Sequence, residues 1–198
     1  MVRNEWSKQV SKLIIRSQLD HVEKGGILDD CGPSSAACAV SWVLGKEITA
    51  AEGINAKEKA TGFKEKEGVS DNGSSLWDLV KTCKVLGANA KYAQDWADCV
   101  ASLKKGAALI INVDAAKNYP PQAISAWHKR FVGRHKGATY GHMVAAAWCE
   151  DHGFQFADPT FSGKGKEKFA VTVTGQELKA IASSKGDAPS SRCIIVKK

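Results

Sequence analysis

Three side chains of the types that perform nucleophilic acyl transfer stand along this chain in the order Cys31, His142, Asp158. A thiolate can attack a carbonyl carbon. An imidazole can pair with that thiolate and later protonate the leaving amine, while a carboxylate fixes the imidazole's tautomer and orientation. Each residue also has a plainer reading. A cysteine beside a turn is commonly a buried half-apolar side chain, a strand histidine a satisfied structural one, and an aspartate before a proline a turn former. What favours chemistry is that all three fall at the ends of elements that the sequence marks independently.

Cys31 belongs to the stretch DDCGPSSAACAVSWVLG, residues 29 to 45. Pro33 suits the first turn of a helix, where its missing N–H costs nothing, and Gly45 can take the left-handed angles that end one. Ala36, Ala37, Ala39, Val40, Trp42, Val43 and Leu44 between them predict a helix buried on nearly every side. Cys31 then sits at the helix mouth, where unpaired N–H groups favour a thiolate over a thiol. Cys38 lies two turns further along, within the apolar run, and reads as core.

His142 and Asp158 belong to TYGHMVAAAWCEDHGFQFADPTF. Residues 140 to 149 read as a strand, 150 to 153 as a hairpin turn and 154 to 157 as the return strand. Folding back on itself, such a hairpin brings His142, near its start, beside Asp158, at its end. His21 in a polar segment, His128 and His135 in a basic inserted helix and its exit, and His152 in the hairpin turn all read as solvent-facing.

The elements that must hold these groups alternate along the chain. Residues 5 to 19 fit a helix or, from Leu13, a strand. Thr49 with Glu52, Ser75 with Asp78, and Thr174 with Glu177 read as helix starts with capping residues. Strands are expected over ANAKYAQ from Ala88, AALIINVDA from Ala107, 168 to 173 and the closing RCIIVKK, with a helix from Asp95 to Gly106 and an inserted helix over 120 to 135. Residues 62 to 75 read as an exposed loop. The expected fold is α+β, a helix headed by Cys31 packed on an antiparallel sheet that contains residues 139 to 157.

At 198 residues with 43% hydrophobic content and no visible linker, residues 1 to 198 are expected to form one domain. No apolar run is long enough to span a membrane, and the polar start MVRNEWSKQVSK lacks the apolar stretch of a signal peptide. A soluble protein is expected. Six dispersed cysteines without a CxxC pair argue against structural zinc, so neither metal nor cofactor is expected. The net charge of +7 favours an anionic partner such as a bacterial wall polymer, nucleic acid or an acidic membrane surface. The lysines are scattered, however, and even the densest cluster, Lys164, Lys166 and Lys168, reads as a solvated loop.

Taken together, DDCGPSSAACAVSWVLG and GHMVAAAWCEDHGFQFADP resemble the signature of C39-type cysteine peptidases, papain-like enzymes whose nucleophile begins a helix and whose His and Asp lie on a hairpin. The resemblance extends over most of residues 13 to 198. It implies a papain-like fold, with Cys31 as nucleophile, His142 as base and Asp158 as orienting acid. It also implies a glutamine shortly before the cysteine that helps form the oxyanion hole. Here the pattern departs, since Gly25 stands six residues ahead of Cys31 and the nearby upstream glutamine is Gln18. An enlarged loop over 23 to 28 could return Gln18 to the site; otherwise a backbone N–H must serve.

C39-like domains occur in bacteriocin exporters and in phage lysins that cut peptidoglycan peptides. No transporter domain is expected to follow, and the basic charge fits the lysin or virion-associated type. The expected substrate is therefore a peptide, in peptidoglycan, with no nucleic-acid partner. The enzyme would act from the host cytoplasm after release to the wall, or from the virion. An amidase or acyl transferase would use the same three residues, and a non-catalytic structural module of a phage particle would keep the fold without the chemistry.

Overall fold

A computed structural model describes residues 12–17, 30–62, 74–114, 141–160, 170–183 and 192–198. Its central element is α1 (Cys31–Leu44), with Pro33 in the first turn and Gly45 closing it at φ 62°, where the Gly45 N–H donates to the Trp42 carbonyl. Residues 32 to 40 are all buried, so this helix is enclosed by its neighbours rather than lying on the surface. Two further helices pack on it, α2 (Ala50–Thr61) and α3 (Leu76–Val85). Both begin with reciprocal caps: Thr49 and Glu52 bond each other's backbone N–H, as do Ser75 and Asp78.

Gly53 explains how closely α2 can approach. A Cβ there would run into the carbonyl oxygen of Pro33 and press on Ala37 at 3.1 Å. The obstacle is the backbone of α1's first turn, so relief requires the two helices to part next to Cys31. Gly53→Ala is expected to cost about 1–3 kcal/mol despite alanine's better helix propensity, measured as a lowered denaturant midpoint.

Among the described residues six strands follow: β1 (Asn89–Tyr92), β2 (Ala108–Asp114), β3 (Gly141–Cys149), β4 (Gly153–Ala157), β5 (Val171–Val173) and β6 (Cys193–Lys197). They form one sheet in the order β1-β6-β2-β3-β4-β5, with every described pairing antiparallel. Successive strand residues face opposite sides, and both sides are covered. Ala108, Ile110, Met143, Ile194 and Val196 pack with α1 and α3. Leu109, Ile111, Val144, Ala146 and Phe156 instead meet α4 (Trp96–Lys104) and α5 (Gly175–Ala182) through Cys99, Leu103, Leu178 and Ile181. This second helical layer explains why AALII, residues 107 to 111, is an unbroken apolar run: a strand buried on both faces has no polar side.

The structure is α+β, as expected. Residues 12 to 17 take no helix. The Leu13 N–H donates to Gln155 Oε1 at 2.6 Å, and the Leu13 carbonyl accepts from the Ala170 N–H at 2.8 Å. The segment thus runs extended beside β4 and the start of β5, resolving the helix-or-strand alternative over those residues. The expected insertion helix at 120 to 135, most of the 62 to 75 loop and the cluster Lys164, Lys166 and Lys168 lie outside the described residues. Within the strand expected over 168 to 173, only 170 to 173 are described, and β5 occupies Val171–Val173.

Candidate active site

The β3–β4 hairpin folds as its alternation predicts, pairing Ala145 with Ala157 and Cys149 with Gly153. His142 is the second residue of β3, and Asp158 immediately follows β4, so both lie at the open end of the hairpin. Their side chains meet there, His142 Nε2 to Asp158 Oδ1 at 2.8 Å, with His142 only 2% exposed and Asp158 fully buried. A carboxylate held in such a place must be well supplied with donors. Thr160 provides two, from its N–H at 2.9 Å and its Oγ1 at 2.8 Å, both to the same Oδ1. Thr160 was not among the expected site residues, although an aspartate bonding the backbone two positions on is a recurrent turn pattern that ADPT could have signalled.

Cys31 is the first residue of α1 and half-buried. Its sulfur acts on the His142 ring, through charge and hydrogen bonding that both favour the protonated imidazole. Because Nε2 is turned to the carboxylate, Nδ1 is the ring nitrogen left to meet the sulfur. Burial acts to lower the pKa of His142, but it is outweighed by the Asp158 charge and hydrogen bond and, after these, by the hydrogen bond and charge of Cys31. The net effect raises the imidazole from its ordinary 6.5 to about 10. The imidazolium is therefore the stable form at neutral pH, held between a carboxylate and a sulfur.

The other thiols sit in different surroundings. Cys38 donates to the Ile14 carbonyl at 2.9 Å, and burial pushes its pKa up to about 12, with Arg16 opposing. Burial likewise pushes Cys83 up to about 12. Cys193 is raised by its hydrogen bond to Cys99 and then by burial. All six cysteines are free thiols. Among the described residues no group of three or more His, Cys, Asp or Glu is placed to hold a metal ion.

Gln18, His21, His128 and His135 lie outside the described residues. The residue before Gln18 is buried beside the site: Ser17 Oγ makes a long 3.4 Å hydrogen bond to the carbonyl of Pro159, next to Asp158. His152 departs from its expected solvent-facing position. It is half-buried in the β3–β4 turn.

An α+β sheet with a helix-borne thiol, a strand imidazole and a carboxylate brought to one end defines the class of fold. Among solved structures, a protein from Bacillus anthracis described as a C39-like peptidase aligns over 94% of this chain and 98% of its own, at TM-score 0.53 and 15% identity. The peptidase domain of Streptococcus ComA, a bifunctional ABC transporter of a quorum-sensing pathway, aligns over 94% and 99%, at TM-score 0.50 and 12% identity. The chain thus shares the fold of C39-like peptidases. No family model and no curated protein matches its sequence.

Proposed function

We propose that this protein is a cysteine peptidase of C39-like type, a single domain over residues 1 to 198 that hydrolyses peptide bonds in bacterial peptidoglycan. The observation that carries this reading is His142, bonded through Nε2 to Asp158 at 2.8 Å while the Cys31 sulfur also acts to hold it protonated. In the proposed reaction the Cys31 thiolate adds to the scissile carbonyl, and the His142 imidazolium delivers its proton to the departing amine. Water then enters, losing a proton to His142 as it cleaves the thioester and restores the thiolate. Asp158 keeps Nε2 engaged so that the proton in transit rides on Nδ1. The backbone N–H of Cys31, unpaired at a helix start, and the amide of Gln18 are the proposed donors to the oxyanion.

The assignment of the wall as substrate draws on the net charge of +7, since wall polymers are anionic. The setting proposed is lysin or virion-associated: a soluble protein reaching the wall after release from the host cytoplasm or from a phage particle. Among the described residues no helix is long and apolar enough to cross a membrane.

The deciding experiment incubates purified cell walls with the wild type and with Cys31→Ala and identifies the released ends by mass spectrometry. New amino groups within stem or cross-bridge peptides support the endopeptidase. Ends created between sugar and peptide assign an amidase using the same three residues. No release from several wall chemotypes, with Cys31 inert to alkylation, leaves a structural module. Salt offers a second measurement: raising ionic strength from low to about 0.5 M is expected to reduce wall lysis several-fold while sparing hydrolysis of a small soluble peptide. Iodoacetamide at pH 6 is expected to modify Cys31 at least tenfold faster than Cys38 or Cys83, whose buried thiols ionise only near 12.

A further inference from the structure

Thr160 directs two donors at the carboxylate of the site, and only one of them is explained by the local turn. An aspartate side chain accepting from the backbone N–H two residues on is an ordinary turn pattern, and any residue at position 160 other than proline would supply that donor. The second bond depends on the side chain. Oγ1 donates to Asp158 at 2.8 Å, which takes a short hydroxyl at this position. Both donors also meet one oxygen: the Oδ1 that accepts them is the oxygen held 2.8 Å from His142 Nε2. The segment between is itself restrained. Pro159 has a fixed φ, is buried, and its carbonyl accepts a 3.4 Å hydrogen bond from the buried Ser17 hydroxyl, so the residue that carries the two donors follows an anchored one.

We infer that Thr160 is a positioning residue for the acyl transfer, a two-pronged clamp that holds Asp158 Oδ1 at the point from which it orients the His142 ring. The inference rests on the cysteine peptidase reading proposed above. The last torsion of an aspartate is soft, so an unrestrained carboxylate can turn either oxygen, or neither, toward a neighbour. Two donors on one residue remove that freedom, and they also favour the charged form of a carboxylate that is fully buried. A fixed Oδ1 fixes Nε2, and the ring then presents Nδ1 in one direction, toward the sulfur. Asp158 and Cys31 are the titratable groups that act on His142, and Thr160 steadies the first of them. Without Oγ1 the carboxylate should leave the ring for part of the time, and the imidazolium should lose part of its support against burial.

The test is a double-mutant cycle on the full chain, read by hydrolysis of a soluble cross-linked wall peptide. Thr160→Val removes Oγ1 while keeping the N–H and nearly the same volume. It is expected to lower kcat about tenfold with KM within about twofold of wild type, and to move the alkaline limit of kcat/KM toward acid. Thr160→Ser, which keeps the hydroxyl, should restore both the rate and the limit. In an Asp158→Ala background Oγ1 has no carboxylate to hold, so adding Thr160→Val should lower kcat no further. Circular dichroism checks folding, and Thr160→Ala takes the place of valine in the cycle if the valine variant does not fold. Wild-type kcat without the hydroxyl, a loss that serine does not recover, or the same loss repeated in the Asp158→Ala background would each overturn the clamp and leave Thr160 a turn residue. The peptidase reading survives those outcomes as long as hydrolysis depends on Cys31. No hydrolysis by the wild type, or hydrolysis untouched by Cys31→Ala, defeats that reading and the clamp with it.

Discussion

Replacing Cys31 by alanine is expected to lower peptide hydrolysis by about 10⁴-fold or more and to leave the fold intact. The two halves of this expectation have separate physical grounds. Hydrolysis is lost because His142 and Asp158 can position and transfer protons but cannot form the thioester, and groups acting as one unit lose nearly everything when the nucleophile goes. The fold persists because Cys31 is half-buried at the first position of α1, where alanine is the best helix former and no large cavity is left. Cys38→Ala makes the contrasting control. That side chain is 2% exposed and bonded to the Ile14 carbonyl, so its loss should lower the unfolding midpoint while activity per folded molecule stays near wild type. The prediction is checked with steady-state kinetics on a released wall peptide, beside circular dichroism of both variants. Wild-type turnover by Cys31→Ala would remove the thiol from the mechanism.

The contrast between these two cysteines was legible in the sequence because helix ends are written locally. Pro33 and Gly45 bracket α1, and three capping boxes mark α2, α3 and α5 where their Ser or Thr and acidic partners predict. The hairpin was legible for a similar reason: alternation and a short turn fix register, and register alone carries His142 to Asp158. Contacts between distant segments were not. The hydrogen bond from Leu13 to Gln155 and the layer of α4 and α5 across the sheet depend on which face each element covers, and a periodic pattern does not name its partner. Thr160 was overlooked although it neighbours Asp158, because its two bonds matter only once that carboxylate is known to be fully buried.

Asp158→Asn is expected to reduce hydrolysis by on the order of 10²-fold and to move its alkaline limit strongly toward acid. In the wild type, Asp158 is the chief influence opposing the desolvation of His142, and the imidazole keeps its proton up to about 10. The activity that needs a proton for the leaving amine should therefore extend to about that pH and fall above it. An asparagine keeps a hydrogen-bonding side chain in place but removes the charge. Burial then prevails over what Cys31 alone supplies, and His142 should lose its proton at much lower pH than in the wild type. Stability responds with a definite sign. Because the folded pKa is raised above the unfolded one, the proton on His142 stabilises the native state fully below about 6.5, and this contribution drains away between 6.5 and about 10 as the folded-state proton is lost. Wild-type unfolding free energy should thus decline across that alkaline window, and the decline should flatten in Asp158→Asn. Both readings come from the same two proteins, using kcat/KM against pH on a soluble peptide and denaturant midpoints against pH. If removing the charge left the alkaline limit and the stability slope unchanged, Asp158 would not be what keeps His142 protonated, and its place beside the imidazole would be structural.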